Sequence, residues 1–326
     1  MSARVLFLGG AGMIGSAVLA EAVTQGLRPT VVTRGEPSRP VPDDVEQLRF
    51  DVRDIEALRA AVTKRSYDAV VNWVGFTPAD LAGQPELFAG ITGQYTFIST
   101  CTVYARPVPH LPITESSPVA QPRFGYGNGK IACERLLTDA YQEAGLPLTI
   151  VRPFHTYDET TVPFPASWTT VERMRAGKPV VVHGDGTSLW TLMHSSDFAR
   201  AFVPLLGNLH AVGETVNLVS GDILTWDQIY RGLAAAAGVR EPQLRHRSSE
   251  TIASQLPAWG DVLAEDFRHS MLFDTAKLRA LVPGFAPRWS FSAGARAIVA
   301  YHDADPARRQ FDAELDHAYD VLAARP

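Results

Sequence analysis

A tyrosine and a lysine four positions apart, Tyr126 and Lys130, are the side chains of this sequence best suited to proton transfer. On a helix, this spacing puts the phenol and the ammonium on the same face. A nearby ammonium favours the phenolate and so lowers the pKa of the tyrosine, which suits Tyr126 to exchange a proton with a substrate hydroxyl or carbonyl. Upstream of Tyr126, a predicted strand is followed by three further candidates for chemistry, Thr100, Cys101 and Thr102. They lie at the carboxyl end of this strand, where ligands bind in α/β folds.

The first fifteen residues predict a binding site for a pyrophosphate. The apolar run Arg4–Leu8 reads as a buried strand and passes into Gly9-Gly10-Ala11-Gly12-Met13-Ile14-Gly15, which opens a helix. Glycines let the backbone approach the phosphates, and the amide groups and the helix dipole neutralise their charge. The alternative interpretation is a tight turn whose glycines serve only close packing.

Short apolar strands alternate with helical patterns over the first half of the chain. Strands are predicted at 4–8, 30–33, 47–50, 69–74, 95–99 and 148–151, and later at 179–183 and 215–219. This order is typical of an α/β fold with a Rossmann-type, doubly wound parallel sheet. We predict that residues 1–154 and about 192–222 form this dinucleotide-binding part. Residues of about 155–191 and 223–326 would form a smaller C-terminal substrate-binding lobe, with the site in the cleft between the two.

Composition excludes several other classes of protein. The net charge is −5 over 326 residues, without a sustained basic run, so we expect no nucleic-acid partner. Only Cys101 and Cys133 occur, too few for a disulfide framework and not spaced as a metal site, and we expect no metal. No apolar run is long enough to span a membrane, and no room for a signal peptide precedes the glycine turn. We therefore expect a cytoplasmic protein without a membrane partner.

Together these segments resemble the extended short-chain dehydrogenase/reductases, and within them the NAD-dependent epimerase/dehydratase branch. The resemblance covers nearly the whole chain and rests on Gly9-x-x-Gly12-x-x-Gly15, Ile98-Ser99-Thr100 with Val103-Tyr104, the pair Tyr126/Lys130, and Val151-Arg152-Pro153 with Tyr157. It implies that Thr100 hydrogen-bonds the reacting oxygen, that Tyr126 is the acid/base and that Lys130 holds the nicotinamide ribose. It also implies a set of residues at a cofactor, NAD or NADP: Gly9, Gly12, Met13, Ile14, Gly15, Arg34, Asp51, Val52, Val74, Lys130 and Pro153. A homodimer is a further expectation from the family.

The sequence departs from the family pattern at the strand that ends in Arg34. No Asp or Glu stands there to bind the ribose hydroxyls of NAD, and Arg34 can instead pair with a 2′-phosphate, which favours NADP. Alternatively Arg34 stacks on the adenine or lies in solvent. Redox-neutral members commonly retain NAD, so both cofactors stay open.

Two departures concern the substrate side near the predicted catalytic residues. The stretch between Val74 and Tyr95 is too short for the full helix that extended members have there, and Phe76 lies in the turn beside the nicotinamide. In the related 4,6-dehydratases an Asp and a Glu follow the catalytic Thr, and here these positions are Cys101 and Thr102. The Cys101 thiol is either a second acid/base facing the substrate or a buried structural side chain.

Trp190 stands where family members acting on nucleotide diphosphate sugars place an arginine that grips the pyrophosphate. Tryptophan cannot neutralise a diphosphate but can stack on a base or a sugar. Packing in the core between the lobes is the alternative. We expect substrate contacts from Phe76, Thr102, His155 and Trp190.

These features predict an NAD(P)-dependent epimerase/dehydratase acting on a sugar-containing small molecule, such as a nucleoside, a nucleotide or a nucleotide sugar. The resemblance implies transient oxidation of a carbinol, followed by epimerisation or dehydration at the adjacent carbon. An NADPH-dependent ketoreductase is the alternative that Arg34 and the missing Asp-Glu pair favour. A member of the fold that binds nucleotide or RNA without redox turnover is the second alternative, against which the set Thr100, Tyr126 and Lys130 argues.

Overall fold

A sheet of seven parallel strands lies at the centre of the computed structural model, which describes residues 2–63, 65–120, 125–219 and 222–325. Across the sheet the strand order is β3-β2-β1-β4-β5-β6-β10. The strands of the described chain are β1 Arg4–Leu8, β2 Arg28–Thr33, β3 Glu46–Arg49, β4 Ala69–Asn72, β5 Tyr95–Ile98, β6 Leu148–Pro153, β7 His155–Tyr157, β8 Val180–His183, β9 Leu189–His194, β10 Thr215–Leu218, β11 Ile223–Thr225 and β12 Leu244–Arg247.

Helices cover both faces of this sheet. In the described ranges the helices, on this sheet and elsewhere, are α1 Met13–Thr24, α2 Ile55–Val62, α3 Gln84–Phe88, α4 Gly125–Ala144, α5 Trp168–Arg175, α6 Ser195–Phe202, α7 Trp226–Ala236, α8 Ser249–Ala253, α9 Gly260–Val262, α10 Ala276–Leu281, α11 Phe291–Asp303 and α12 Ala313–Ala324. One face packs apolar side chains of α1 and α6 against β1, and the other packs α2, α3 and α4. The near-continuous apolar strands follow from burial on both sides. The predicted Rossmann-type, doubly wound parallel sheet is confirmed.

The later part of the chain adds two small sheets. In one, β9 pairs with β7 in parallel and with β11 in antiparallel orientation; in the other, β8 and β12 run parallel. Between them lies an aromatic core that includes Trp190, Trp226 and Phe267. Phe267 belongs to a π-helical turn, Leu263–Phe267, which continues α9. β10 joins the central sheet, and α6 packs on α1. The division of the chain into a dinucleotide-binding part, 1–154 plus about 192–222, and a substrate-binding lobe, about 155–191 plus 223–326, stays a prediction.

The predicted strands of the central sheet all occur, with ends that differ by a residue or two. The sequence patterns missed four short strands, β7, β9, β11 and β12. Between β4 and β5 only a 3₁₀ turn, Pro78–Leu81, and the five-residue α3 are present, so the prediction that no full helix fits there is confirmed. Across the described ranges, no helix combines the length and the apolar character needed to cross a membrane.

Candidate active site

The glycine turn after β1 closes tightly onto the start of α1. Gly9 and Gly10 have φ values of +76° and +95°, which residues with a side chain rarely adopt. A Cβ added to Gly15 would lie 2.0 Å from the carbonyl oxygen of Gly10, so only glycine allows this approach. Gly12 is the N-cap of α1, and Met13 and Ile14 are its half-buried first residues. The turn therefore presents backbone amides at a helix N-terminus, as a phosphate site requires.

A cavity of about 360 Å³ opens beside this turn, at the carboxyl ends of β1, β2 and β4. Its walls include most of the predicted cofactor residues beyond the turn itself. These lining residues are Arg34, Asp51, Val52 and Val74; Gly9 of the turn and Phe76, a predicted substrate contact, also line the cavity. The volume and position suit the adenosine half of a dinucleotide.

Charges in this cavity are mostly paired within the protein. Arg53 holds Asp51 through Nε at 3.0 Å and Nη2 at 2.7 Å, and these bonds lower the pKa of Asp51 to about 2. Glu36 forms an ion pair with Arg49. Arg34 is exposed and makes neither an ion pair nor a side-chain hydrogen bond with any described residue, although its charge also helps to lower the pKa of Asp51. The guanidinium of Arg34 is thus available to an anionic ligand.

The segment after β2 connects the glycine turn to residues beyond β7. The Ser38 hydroxyl donates to the carbonyl oxygen of Ala11 at 2.8 Å. Arg39 pairs with the buried carboxylate of Asp158, and its Nη2 donates to the Thr160 hydroxyl at 2.7 Å. We call residues 34–41 the strap, because its contacts join the two walls of the cleft.

Lys130 is buried where α4 meets the loop after β4. Its Nζ donates to the carbonyl oxygens of Gly75 and Ile98, both at 2.8 Å, and lies 4.7 Å from the centre of the Phe76 ring. Burial lowers the pKa of Lys130 to about 8. A Cβ on Gly129 would meet the Phe76 carbonyl oxygen at 2.2 Å, so this glycine lets the loop pack directly on the helix.

Tyr126 and Thr100 form a hydrogen-bonded pair in the cleft. Desolvation raises the pKa of Tyr126 and the charge of Asp266 raises it further, while the bond to Thr100 lowers it. The Lys130 ammonium lies 6.0 Å from the centre of the Tyr126 ring and is occupied by two carbonyl groups. The prediction that Lys130 lowers the pKa of Tyr126 is therefore wrong for this structure, although both residues do share a helix and a cleft wall.

A row of hydroxyl groups leads from this pair to a carboxylate. Thr100 Oγ1 donates to Thr102 Oγ1 at 3.2 Å, and Thr102 Oγ1 donates to Asp266 Oδ2 at 3.3 Å. Arg106 Nη2 donates to the other oxygen, Oδ1, at 2.7 Å. Asp266 lies on the π-helical turn, far from Thr102 in sequence and without a motif, so no signal in the sequence pointed to it.

Cys101 does not face the cleft. Its side chain is fully buried, and the thiol donates to the Arg152 carbonyl oxygen at 3.3 Å, with Asn217 Oδ1 at 3.8 Å. Burial raises the pKa of the thiol well above its usual value. The assignment of Cys101 as a second acid/base is wrong because the backbone after Thr100 turns this side chain into the core.

Trp190 lies in β9 with 1% of its surface exposed, so it offers no face for stacking on a base or a sugar. Its indole Nε1 donates to His155 Nδ1 at 2.9 Å. Because the indole can only donate, His155 Nδ1 is the acceptor and Nε2 carries the imidazole proton. Burial lowers the pKa of His155 to about 4, so the half-buried ring is neutral at physiological pH. The predicted substrate contact of Trp190 is wrong, and its indole instead orients His155.

Three further residues predicted to line the site lie in different places. Thr102 is almost fully buried beside Thr100, while half of the Phe76 side chain is exposed at the mouth of the cavity. Pro153 is buried at the carboxyl end of β6, outside the walls of the cavity. Among the residues that the structure describes, no group of three or more His, Cys, Asp or Glu side chains could hold a metal ion.

A family model for the NAD dependent epimerase/dehydratase family matches residues 5–218. The matched range includes the glycine turn, the residues that line the cavity, and the segment from Thr100 to Lys130.

Relatives and solved structures agree with that match. The chain is 28% identical over 290 residues to 2'-dehydrokanamycin reductase of Streptomyces kanamyceticus, covering 87% of this chain and 80% of the relative. It is 25% identical to chloroplast stem-loop binding protein of 41 kDa b of Arabidopsis thaliana, covering 98% and 83% of the two chains. The structure of dTDP-glucose 4,6-dehydratase from Bacillus anthracis in complex with NAD superposes with a TM-score of 0.75 at 17% identity, over 94% of this chain and 98% of that one.

Proposed function

Because the chain belongs to the NAD-dependent epimerase/dehydratase family, we propose that it is a ketoreductase that uses NADPH to reduce a carbonyl of a sugar-type substrate. Arg34 carries this proposal. It is a cavity-lining guanidinium without an ion-pair partner among the described residues, at a strand end that lacks the carboxylate suited to the ribose hydroxyls of NAD. A 2′-phosphate would give Arg34 the bidentate partner that its fork favours.

The glycine turn and the cavity fit a dinucleotide, since a side chain at Gly15 would fill the space that the turn needs. We assign the pyrophosphate to the turn and the start of α1, the adenosine to the cavity that includes Asp51 and Val52, and the ribose next to the nicotinamide to Lys130. The bound cofactor supplies a hydride to a carbonyl carbon.

Tyr126 and Thr100 would act on the oxygen of that carbonyl. Thr100 orients the oxygen by a hydrogen bond, and Tyr126 donates its phenolic proton to it as negative charge develops. A raised pKa keeps Tyr126 in the protonated form from which a reduction begins. The residues thus suit the reductive direction, in which the tyrosine acts first as an acid.

The substrate side suits an uncharged or weakly charged ligand. Trp190, at the position that an arginine occupies in relatives acting on diphosphate sugars, is buried. The His155 imidazole beside it is neutral and has Nε2–H as its donor, with no hydrogen bond from Nε2 to the described residues. A neutral donor suits a sugar hydroxyl or glycosidic oxygen better than a diphosphate. The named activity of the Streptomyces kanamyceticus relative, a reductase, agrees with this class.

Epimerisation or dehydration at an adjacent carbon, our leading expectation from the sequence, has less support. Cys101 was one candidate for the second proton-transfer group of that route, and this thiol lies in the core. The stem-loop binding relative is the observation that favours a non-redox role. Against that role stands the paired Thr100 and Tyr126, a hydrogen-bonded acid that binding alone does not need.

The test is a comparison of cofactors and substrates with the purified protein. We would first denature the protein and identify any released nicotinamide cofactor and its oxidation state by mass spectrometry. We would then follow oxidation of NADPH and NADH with keto-sugar glycosides that lack phosphate and with a nucleoside-diphosphate 4-keto sugar. The proposal predicts NADPH-dependent reduction of the glycosides, absent in Tyr126→Phe. Tightly held NAD⁺ and a redox-neutral conversion of the nucleotide sugar would contradict it and support the epimerase/dehydratase.

A further inference from the structure

We propose that the ring of Phe76 is a shutter over Lys130 and turns aside when the nicotinamide end of the cofactor binds. This inference rests on the proposed function, which assigns the ribose next to the nicotinamide to Lys130. Phe76 thereby controls access to the ammonium group and takes no part in the chemistry itself.

The ammonium group of Lys130 is covered, although one of its donors is left for a ligand. Two of the three N–H groups donate to the carbonyl oxygens of Gly75 and Ile98, both at 2.8 Å, and Nζ has no other hydrogen-bond partner among the described residues. Only 2% of Lys130 is exposed, and Nζ lies 4.7 Å and 4.9 Å from the ring centres of Phe76 and Phe97. A ribose hydroxyl therefore cannot reach this donor until a covering side chain moves.

Phe76 is the covering ring that is free to move. Phe97 is fully buried in β5, and the centre of the Tyr126 ring lies farther from Nζ, at 6.0 Å. Half of Phe76, in contrast, is exposed, and its ring lines the cavity that we assign to the adenosine half of the cofactor. The ring thus lies where the cavity meets Lys130, and a contact between an exposed ring and an ammonium group is weak enough to break.

The main chain around Phe76 is held in place, so the movement is confined to the side chain. Asp80 Oδ2 accepts hydrogen bonds from the amides of Phe76 and Thr77, at 3.1 Å and 2.8 Å. On the other side, a Cβ on Gly129 would lie 2.2 Å from the Phe76 carbonyl oxygen, which shows how closely this loop approaches α4. Rotation about the side-chain bonds of Phe76 is the movement that these contacts leave.

The shutter would weaken cofactor binding without slowing it. An exposed side chain changes rotamer within about a nanosecond, so opening is not the slow step of binding. Opening costs the contact between the ring and the ammonium group, and this cost lowers the apparent affinity of every ligand that needs Lys130. A ligand confined to the adenosine half does not need the ring to turn, and its affinity should depend on Phe76 only weakly.

The first experiment measures the reactivity of the Lys130 amine and uses neither cofactor nor substrate. The protein, dialysed free of nucleotide, is treated briefly with acetic anhydride at about pH 8, where about half of an amine with a pKa of about 8 is neutral, so that access limits the reaction. Peptide mass spectrometry gives the acetylation of Lys130 relative to Lys178, whose side chain is 45% exposed.

Phe76→Ala should raise the relative acetylation of Lys130 by about tenfold or more, because the amine no longer waits for the ring to turn. Phe76→Tyr keeps the ring and should leave Lys130 protected. Phe311→Ala removes another exposed ring, outside the cavity, and is the matched control that should behave as wild type.

The second experiment compares two ligands by isothermal titration calorimetry. NADPH spans the whole proposed cofactor site, whereas adenosine 2′,5′-bisphosphate fills only its adenosine half. Phe76→Ala should tighten NADPH binding by about two- to fivefold, the contribution of an exposed cation–π contact, and should change bisphosphate binding by less than about twofold. Bound NADPH should also protect Lys130 from acetylation in Phe76→Ala.

Each part of the inference has a result that would overturn it. Equal acetylation of Lys130 in wild type and Phe76→Ala would show that another side chain covers the ammonium group. Weaker NADPH binding in Phe76→Ala would show that the ring holds the cofactor, and an equal change for the bisphosphate would place the effect in the adenosine half. Exposure of Lys130 and tighter NADPH binding in Phe76→Ala, without reduction of any keto-sugar glycoside by the wild type, would uphold the shutter and refute only the proposed reductase.

Discussion

The proposed cofactor half and the proposed substrate half of the cleft are built in different ways. In the cofactor half, backbone geometry decides the site: a Cβ on Gly15 or Gly129 would meet a carbonyl oxygen at about 2 Å. In the substrate half, side chains from distant segments decide it, as in the bond between Trp190 and His155 or between Thr102 and Asp266. The first kind of site leaves a local pattern in the sequence, and the second kind leaves almost none.

We expect the largest effect on activity from a change at Tyr126, which lies where the two halves meet. Tyr126→Phe removes the proton donor, and we expect reduction to slow by about 10² to 10⁴-fold. Binding of NADPH, measured by quenching of protein fluorescence, should change less than about twofold, because the hydroxyl is the only group lost. Retained turnover would mean that another group donates the proton and that the family's acid is not used here.

Trp190→Ala tests whether the substrate half depends on buried packing. We expect the free energy of unfolding to fall by about 3–5 kcal/mol, because the change leaves a cavity in the aromatic core and removes the donor to His155. Phe76→Ala is the control in the cofactor half. Because this side chain is half exposed, its loss should lower the free energy of unfolding far less. Similar losses from both, measured by urea unfolding, would contradict this contrast.

Arg34→Ala tests the charge assigned to the cofactor half. We expect NADPH to bind about tenfold to a hundredfold more weakly, since a charge-assisted contact with the 2′-phosphate is lost, while NADH binding stays nearly constant. Arg28→Ala, at the opposite end of the same strand, is exposed and should have no effect. Equal weakening of both cofactors would remove the argument for NADP.

His155 should make the substrate half sensitive to acid. Its pKa falls from the usual 6.5 to about 4 on folding, so the unfolded chain binds the proton first as pH drops. This destabilisation is absent above pH 6.5 and grows as the pH falls from 6.5 to 4. In His155→Gln, the free energy of unfolding should decline less over this interval, by about 2–3 kcal/mol, as measured by thermal unfolding. His210→Gln, an exposed control, should follow the wild-type curve.

Cys101→Ala should have the smallest effect on activity. Because the thiol contacts the Arg152 carbonyl group and not the cleft, we expect the rate of reduction to change less than about twofold. Stability should fall by about 1 kcal/mol through the small cavity left behind. A loss of turnover with normal stability and cofactor binding would restore Cys101 as a candidate acid or base.

The sequence predicted the central sheet well because its buried strands are almost wholly apolar, and it predicted the glycine turn because residue types there follow from backbone geometry. It also placed Thr100, Tyr126 and Lys130 in one cleft. It did not predict the direction of the Tyr126 pKa shift, which depends on desolvation and on Asp266 rather than on helix spacing. The orientations of Cys101 and Trp190 were likewise undetermined, because either side chain can be buried or exposed at a strand end.

The strap has a consequence for the release of a dinucleotide. Ser38 fastens it to the glycine turn, and Arg39 fastens it to Asp158 on the opposite wall. Because residues 34–38 of the strap line the cavity, we expect a dinucleotide held at that turn to leave more readily when the Arg39–Asp158 contact is open. Salt should quicken this release only modestly, since Asp158 is buried and only Arg39 is partly exposed to the screening ions.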